Sequence, residues 1–185
     1  FPYTTLFRSV TSDPVGKWQD IMQALLMVIG SSQKYIYVQT PYLLPTEPIL
    51  MALKNVALAG VDVRIMIPER ADTKLIHYGS MSYLDELMVA GVKIYRYQKG
   101  FLHSKLMVSD DTYSTIGSTN MDFRSFEHNF EVNALMYDSN SASMMKEMFL
   151  SDQKDAERLQ LKAWRMRPWY QKVIESFIRL FAPLL

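Results

Sequence analysis

Along the first third of the chain, the hydrophobic positions recur first at helical spacing and then at strand spacing. Residues 18–29 carry their apolar side chains on one helical face, with Asp13 as predicted N-cap and Pro14 at the first helical position. Residues 34–40 are rich in aromatic and β-branched types and stop before Pro41. The pattern therefore predicts a helix followed by a strand.

The same alternation continues to about residue 100. A helix is predicted from a cap at Thr46 to a stop at Gly60, then a strand over residues 61–67. A further helix is predicted over residues 82–91 and a strand over residues 92–97. Strands separated by helices at such short spacing indicate βαβ units and a parallel sheet.

The pattern changes after Gly100. Residues 104–110, 113–118 and 130–138 are strand-like, and only short turns separate the first two, so a hairpin on the same sheet is expected. Residues 141–159 are predicted to form a closing helix. The predicted fold is α/β, with a mixed, mostly parallel sheet flanked by helices.

Composition narrows the class of protein. The chain has 185 residues, 49% of them hydrophobic, which is enough for one buried core. The formal net charge of +1 argues neither for nor against binding of nucleic acid. The charge is unevenly distributed, because the segment from Arg158 onward has six basic residues and one acidic residue. Cysteine is absent, which excludes disulfides and thiolate chemistry. No apolar run reaches the length of a membrane span, so any membrane contact is expected to be peripheral.

Polar side chains accumulate on the three strand-like segments after Gly100. His103 and Lys105 are two residues apart and should project from one strand face, and Ser118 and Asn120 repeat that spacing. Glu131 lies at the start of the next segment, on the parity opposite to its apolar neighbours. These five side chains are therefore expected to gather at one point.

Such a set suits phosphoryl chemistry. An imidazole attacks phosphorus or protonates a leaving oxygen. An ammonium and an amide hold the non-bridging oxygens, and a carboxylate fixes the imidazole tautomer. The set requires no metal or cofactor, and none is expected.

The spacing of these residues, H-x-K-x4-D-x6-G-S-x-N, resembles the HKD signature of the phospholipase D superfamily. The residues that match are His103, Lys105, Asp110, Gly117, Ser118 and Asn120. From about Trp18 onward, segments such as YIYVQTPYLLP and GSTNMDFRSFEHNFEVNALMYD look like the C-terminal half of bacterial cardiolipin synthases. The resemblance implies half of a phospholipase D-like α-β-α sandwich.

The resemblance also implies roles for the residues. His103 matches the second HKD motif and would be the acid/base partner of a nucleophilic His in the first half, although the reverse order stays open. Lys105 and Asn120 would bind phosphate oxygens with support from Ser118, and Glu131 would orient the catalytic His. Asp110 belongs to the catalytic signature, but its strand parity predicts a structural role.

The implied reaction joins two phosphatidylglycerol molecules into cardiolipin and glycerol through a phosphohistidine. The implied partners are anionic phospholipid, the membrane surface and a missing N-terminal half with the other HKD motif, and no nucleic acid. The expected location is the cell membrane, with transmembrane segments in the full-length N-terminal part and peripheral contact for this chain. Alone, the chain is expected to be inactive.

Two alternatives to this function remain open. One is a phosphodiesterase or nuclease that pairs two copies of a single motif, and the other is a non-catalytic lipid-binding domain. A nuclease should carry a basic groove, which the near-neutral charge does not favour.

Two further residues are candidates for contact with the substrate. Gln39 and Tyr42 either touch the substrate headgroup or pack at a strand end.

Residues 1–9 match the translation of a common sequencing adapter and are expected to be non-native, followed by a domain over residues 10–157. Residues 158–185 are expected to form a basic amphipathic helical tail, which either lies on an anionic membrane or docks on the core.

Overall fold

One eight-stranded sheet organises the fold in the computed structural model, which describes residues 7–184. Its strands, in spatial order, are β1 (Phe7–Ser12), β9 (Glu131–Tyr137), β7 (Tyr113–Gly117), β6 (Leu106–Ser109), β2 (Tyr35–Gln39), β4 (Asp62–Pro68), β5 (Lys93–Tyr97) and β10 (Ala156–Arg158). A separate parallel pair joins β3 (Leu43–Leu44) to β8 (Met121–Asp122).

Helices cover both faces of this sheet. They are α1 (Asp20–Ser31), α2 (Glu47–Leu58), α3 (Lys74–Val89), α4 (Phe123–Glu127), α5 (Ser139–Gln153), α6 (Leu161–Arg165) and α7 (Trp169–Arg179), followed by the 3₁₀ turn η1 (Ala182–Leu184). None of the helices in this part of the chain is both long and apolar enough to cross a bilayer.

Alternate residues of the central strand β2 pack into two different apolar clusters. Ile36 and Val38 join the cluster formed with α1, α2 and α3. Tyr35 and Tyr37 join the opposite cluster, where the ring of Phe149 from α5 stacks on Tyr37 with the centroids 4.8 Å apart. Because strand side chains alternate between faces, one strand contributes to both layers. The predicted α-β-α arrangement is confirmed.

The sheet is mixed, but its parallel part is smaller than the sequence predicts. Only the β2–β4 and β4–β5 ladders are parallel, and the other ladders of the eight-stranded sheet are antiparallel. The helices α2 and α3 return the chain for the parallel strands. The turn at Asp110 and Asp111, with φ of 53° and 54°, instead joins β6 and β7 as an antiparallel hairpin.

The predicted stops of two helices are confirmed, whereas some starts and ends are wrong. Gly60 and Gly91 follow α2 and α3 with φ of 97° and 100°, a conformation that glycine adopts without strain. The first helix begins at Asp20, because Asp13 forms a local turn and its Oδ1 accepts from the N–H of Val15 at 2.7 Å. Residues 13–19 therefore precede the helix.

Three further boundaries differ from the predictions. Helix α3 begins at Lys74, well before residue 82, and the Thr73 hydroxyl accepts from the N–H of Ile76 at its start. Helix α5 ends at Gln153, because the chain then turns to pair β10 with β5. Strand β6 begins only at Leu106, opposite Gln39, the last residue of β2.

The N-terminal prediction concerns residues that the structure describes only in part. Residues 1–6 lie outside the described residues, and residues 7–9 begin β1, which pairs with β9. The predicted adapter origin of residues 1–9 and the predicted domain limits stay predictions.

Candidate active site

An open cavity of about 550 Å³ lies at one edge of the sheet, where β7 ends and β6 and β9 begin. The residues that line it are His103, Ser104, Lys105, Ile116, Gly117, Ser118, Asn120 and Glu131. The five side chains that the sequence pattern groups are all among them. The structure therefore brings together an imidazole, an ammonium, a hydroxyl, an amide and a carboxylate.

Backbone hydrogen bonds beyond the ends of the strands hold these segments side by side. The N–H of Gly117 donates to the carbonyl of Lys105 at 3.3 Å, and the N–H of Ser118 donates to the carbonyl of Val132 at 3.0 Å. A Cβ at Gly117 would collide with that carbonyl and with the Asn133 side chain. Glycine at this position therefore permits the close approach of β7 and β9.

Glu131 is held by two neighbours in the cavity. The Ser118 hydroxyl donates to its Oε2, and Nδ2 of Asn129 donates to its Oε1 at 3.1 Å. The N–H of Val132 donates in turn to the Ser118 hydroxyl at 3.0 Å, which fixes that side chain. The sequence analysis does not identify Asn129 as a site residue, although its position two residues before Glu131 would have indicated it. The role of Glu131 in orienting His103 stays a prediction.

The sequence predicted that His103 and Lys105 lie within a strand, but the structure places both in the segment just before β6. The exposed His103 ring lies beside Phe101, with the ring centroids 5.4 Å apart. Nζ of Lys105 donates to the carbonyl of His103 at 2.8 Å. Partial burial lowers the pKa of Lys105, and the negative charges of Glu131 and Asp122 oppose that shift.

Asn120 lines the cavity from the short connection between β7 and β8. Its backbone N–H and its Nδ2 each lie 3.3 Å from the hydroxyl of Ser125, which was not anticipated. Its Oδ1 is buried and has no hydrogen-bond partner among the described residues. Behind it, Asp122 caps α4 by accepting from the N–H of Ser125 at 2.6 Å. Burial raises the pKa of Asp122, against the hydrogen bonds from Ser125.

Asp110 lies at the opposite end of β6 from His103, in the hairpin turn. Its carboxylate accepts from the backbone N–H groups of Gln33, Lys34 and Tyr35 at 2.6, 2.9 and 2.8 Å. It does not line the cavity. Its grouping with the catalytic residues is therefore corrected: Asp110 ties the β6–β7 turn to the start of β2, as its parity predicted.

Gln39 and Tyr42 do not line the cavity either. Gln39 is only 2% exposed, its Nε2 donates to Asp152 at 2.8 Å, and its Oε1 accepts from Ser104 at 2.6 Å. The hydroxyl of Tyr42 donates to Asp72, and burial together with this hydrogen bond raises the pKa of Tyr42 to about 12. Of the two readings of these residues, the structure favours packing at the strand end.

Between residues 7 and 184, no group of three or more His, Cys, Asp or Glu side chains is arranged to hold a metal ion.

Comparison with known proteins assigns this arrangement to a family. The model described as "Cardiolipin synthase, PLD-like domain" matches residues 25–153. The cardiolipin synthase of Geobacillus sp. (strain WCH70) is 46% identical over 176 residues, which are 95% of this chain and 35% of that protein. The cardiolipin synthase of Halalkalibacterium halodurans is 42% identical over 178 residues, 96% of this chain and 35% of that protein. The chain thus spans about a third of the length of these relatives.

Solved structures share the fold at low sequence identity. The phosphatidylserine synthase of Haemophilus influenzae matches 99% of this chain and 46% of its own, with a TM-score of 0.76 and 15% identity. The phospholipase D family member Nuc from Salmonella typhimurium matches 84% of this chain and 99% of its own, with a TM-score of 0.71 and 20% identity.

Proposed function

This chain belongs to the phospholipase D-like domain family of cardiolipin synthases, and from that premise we propose that it supplies one half of a phosphatidyltransferase site. The observation that carries the proposal is the single cavity lined by His103, Lys105, Ser118, Asn120 and Glu131. Together they provide a proton carrier, two donors for phosphate oxygens and a carboxylate, as a phosphoryl transfer requires.

The proposed chemistry runs in two displacements. In the first, a ring nitrogen of one histidine attacks the phosphorus of the donor lipid, and the bond from phosphorus to the oxygen of the glycerol headgroup breaks. The imidazolium of the other histidine protonates that oxygen, and glycerol leaves. In the second, a hydroxyl of the acceptor lipid gives its proton to that imidazole and attacks phosphorus, and the phosphorus–nitrogen bond breaks. The covalent intermediate keeps the phosphodiester energy until the acceptor arrives.

Each residue of the cavity has a proposed part in these steps. His103 is the imidazole that carries the proton, and Glu131, held by Ser118, stabilises its cationic form. Lys105 and Asn120 hold the non-bridging oxygens. Nζ of Lys105 uses one donor on the His103 carbonyl and keeps others for phosphate.

The reaction needs a second imidazole, which we assign to a longer polypeptide. His103 is the one histidine among the cavity residues of the described chain, and His77 and His128 lie elsewhere. The relatives are about three times as long as this chain, which covers 35% of them. We therefore propose that their N-terminal part, with the first HKD motif, completes the site.

The proposed substrates are two phosphatidylglycerol molecules, with cardiolipin and glycerol as products. The proposed partners are therefore anionic phospholipid and the membrane surface, with the cell membrane as location. The family to which the chain belongs supports this choice of substrate. For the described residues, contact with the bilayer would be peripheral.

The half-site proposal is tested by assaying the purified chain with labelled phosphatidylglycerol while light scattering reports its mass. A monomer is expected to form no cardiolipin. Addition of the N-terminal two-thirds of a relative is expected to restore turnover. Cardiolipin formation by a strict monomer would refute the proposal.

A homodimeric phosphodiesterase is the second candidate. One observation favours it: the matched Salmonella chain consists almost entirely of a single unit of this fold. Paired copies of this chain would then bring two His103 rings together. Hydrolysis of a soluble phosphodiester that rises with the square of protein concentration would support this candidate over the first.

A further inference from the structure

Helix α7 packs on α3 with the side that carries Glu175, Ile178 and Arg179. Glu175 is only 4% exposed and forms an ion pair with Arg167 at 2.6 Å. Arg179 pairs with Glu86 at 2.6 Å and lies over the ring of Tyr83, 4.1 Å from its centroid. These contacts fix the rotation of α7 about its own axis.

The opposite side of α7 is apolar and faces outward. The exposed large side chains on this side, each 40–75% exposed, are Trp169, Tyr170, Val173, Ile174 and Phe177 of α7, and Leu180 and Phe181 of the turn that follows it. At about 100° per residue the five residues within α7 occupy an arc of roughly 140°, and Glu175 and Ile178 lie outside that arc. We call this surface the outer face of α7. An amphipathic helix ordinarily turns its apolar stripe toward the core, so this orientation is reversed.

The segment that carries the outer face has more basic than acidic residues. Glu175 is the only acid among residues 158–184, and it is buried in its pair with Arg167. Asp85 and Glu86 of α3 pair with Arg165 and Arg179, whereas Lys162 and Lys172 form no ion pair with any residue in the range 7–184. An apolar face on a segment with net positive charge is complementary to a layer with anionic headgroups and an apolar interior.

We propose that the outer face of α7 inserts into the interface of an anionic phospholipid bilayer. Trp169 and Tyr170 have the amphipathic rings that favour the headgroup level of a membrane. A second copy of the chain is a poorer occupant, because a two-fold contact through this face would bring two identical, positively charged segments together.

The proposal deepens the proposed function, since the bilayer would hold the lipid substrate, and it links the bound surface to the site. The turn η1, directly after α7, packs on α4. Helix α4 begins at Phe123, just after Asn120 of the cavity. A membrane-bound α7 would therefore support the loop that carries Asn120.

The test compares binding of the full chain to vesicles that contain phosphatidylglycerol and to vesicles of phosphatidylcholine alone. The wild type is expected to cosediment with the anionic vesicles more strongly. The double variant Phe177→Ser/Leu180→Ser should bind them about tenfold more weakly or worse. The matched control is Met144→Ser/Met148→Ser, two methionines on α5 that are 65% and 52% exposed, and it should bind like the wild type.

Two results would overturn the proposal. One is equal vesicle binding by the α7 variant and the wild type. The other is a wild-type dimer without vesicles that the α7 variant converts to monomer, because a second copy would then cover the face. Thermal melting checks that the variant folds.

A second measurement serves in case the double variant does not fold. Quenching of tryptophan fluorescence by bromine-labelled lipid chains should be strong in the wild type and largely lost in Trp169→Phe, and absence of quenching also overturns the proposal. Vesicle binding is measured without turnover, so a failure of the membrane proposal and a failure of the half-site assay are distinguishable.

Discussion

Asp110 illustrates how one side chain in a signature acts away from the chemistry. Its carboxylate accepts three backbone N–H groups at the start of β2, and its own φ of 53° sets the hairpin turn. Asx side chains suit this backbone region. The spacing of the motif therefore preserves a turn as well as a set of reactive groups.

Replacing Asp110 by Asn is expected to lower the free energy of unfolding by about 1–3 kcal/mol, because an amide NH₂ cannot accept one of these N–H groups. Asp111→Asn is the control, since Asp111 shares the turn and the positive φ but accepts from Tyr35 and Lys146 through Oδ1, which Asn retains. Urea unfolding measures both. A smaller loss for Asp110→Asn than for Asp111→Asn would contradict this role.

The side chains of the site differ in how far the sequence predicts them. Motif spacing groups His103, Lys105, Ser118 and Glu131, because the paired strands β6, β7 and β9 bring these adjoining positions to the same end of the sheet. Strand parity does not explain the grouping, since His103, Lys105 and Ser118 lie just outside the strands. The same reasoning does not separate Gln39 from the site, since its partners Ser104 and Asp152 are set by tertiary packing.

The strands β7 and β9 approach each other closely at Gly117, which lines the cavity. Gly117→Ala would push its Cβ into the carbonyl of Val132 and the side chain of Asn133. We expect a loss of about 1–3 kcal/mol in the free energy of unfolding from this overpacking. Gly30→Ala in α1 is the control, because a Cβ there meets no atom within 4 Å, and it should stabilise the chain by about 0.5–1 kcal/mol. Equal thermal shifts for the two variants would contradict the close contact.

A charge cluster joins the starts of β4 and β5 away from the cavity. Asp62 accepts from Arg64 at 2.6 Å and from Lys93 at 2.6 Å. Burial alone would raise the pKa of Asp62, but these hydrogen bonds outweigh it and hold the pKa below its ordinary 3.8. Because the folded-state pKa is depressed, the stabilisation is present above about pH 4 and is lost as the pH falls through that lower value.

Asp62→Asn is therefore expected to lower the free energy of unfolding at neutral pH by about 1–3 kcal/mol. The difference from the wild type should shrink as the pH falls below about 4, as urea unfolding across pH would record. Asp20→Asn, on the exposed start of α1, is the control and should lower the free energy of unfolding at neutral pH by less than Asp62→Asn does. A wild-type advantage that stays constant into strong acid would contradict the linkage.

Helices and strands follow from the sequence where local signals decide them. The helix stops at Gly60 and Gly91 are local, because only backbone conformation is involved. The end of α5 and the start of β10 are not, since pairing with β5 overrides the helical pattern after Gln153. The number of parallel ladders also depends on how distant strands pair, which spacing alone does not determine.

At the scale of the molecule, residues 7–184 leave two functional surfaces uncovered. One is the open cavity around His103, and the other is the outer face of α7. We assign the first to the N-terminal part of a longer polypeptide and the second to the bilayer. On this account the chain is a catalytic half that the membrane and its partner complete from different directions.

The most direct test of this account is cardiolipin formation by a full-length relative whose matching third is replaced by this chain. In a chimera that turns over, His103→Asn is expected to lower the rate by about 10²-fold or more, because the proton carrier is lost. His128→Asn, an exposed histidine after α4, should leave the rate unchanged. A His103→Asn chimera that forms cardiolipin at the unsubstituted rate would contradict the account.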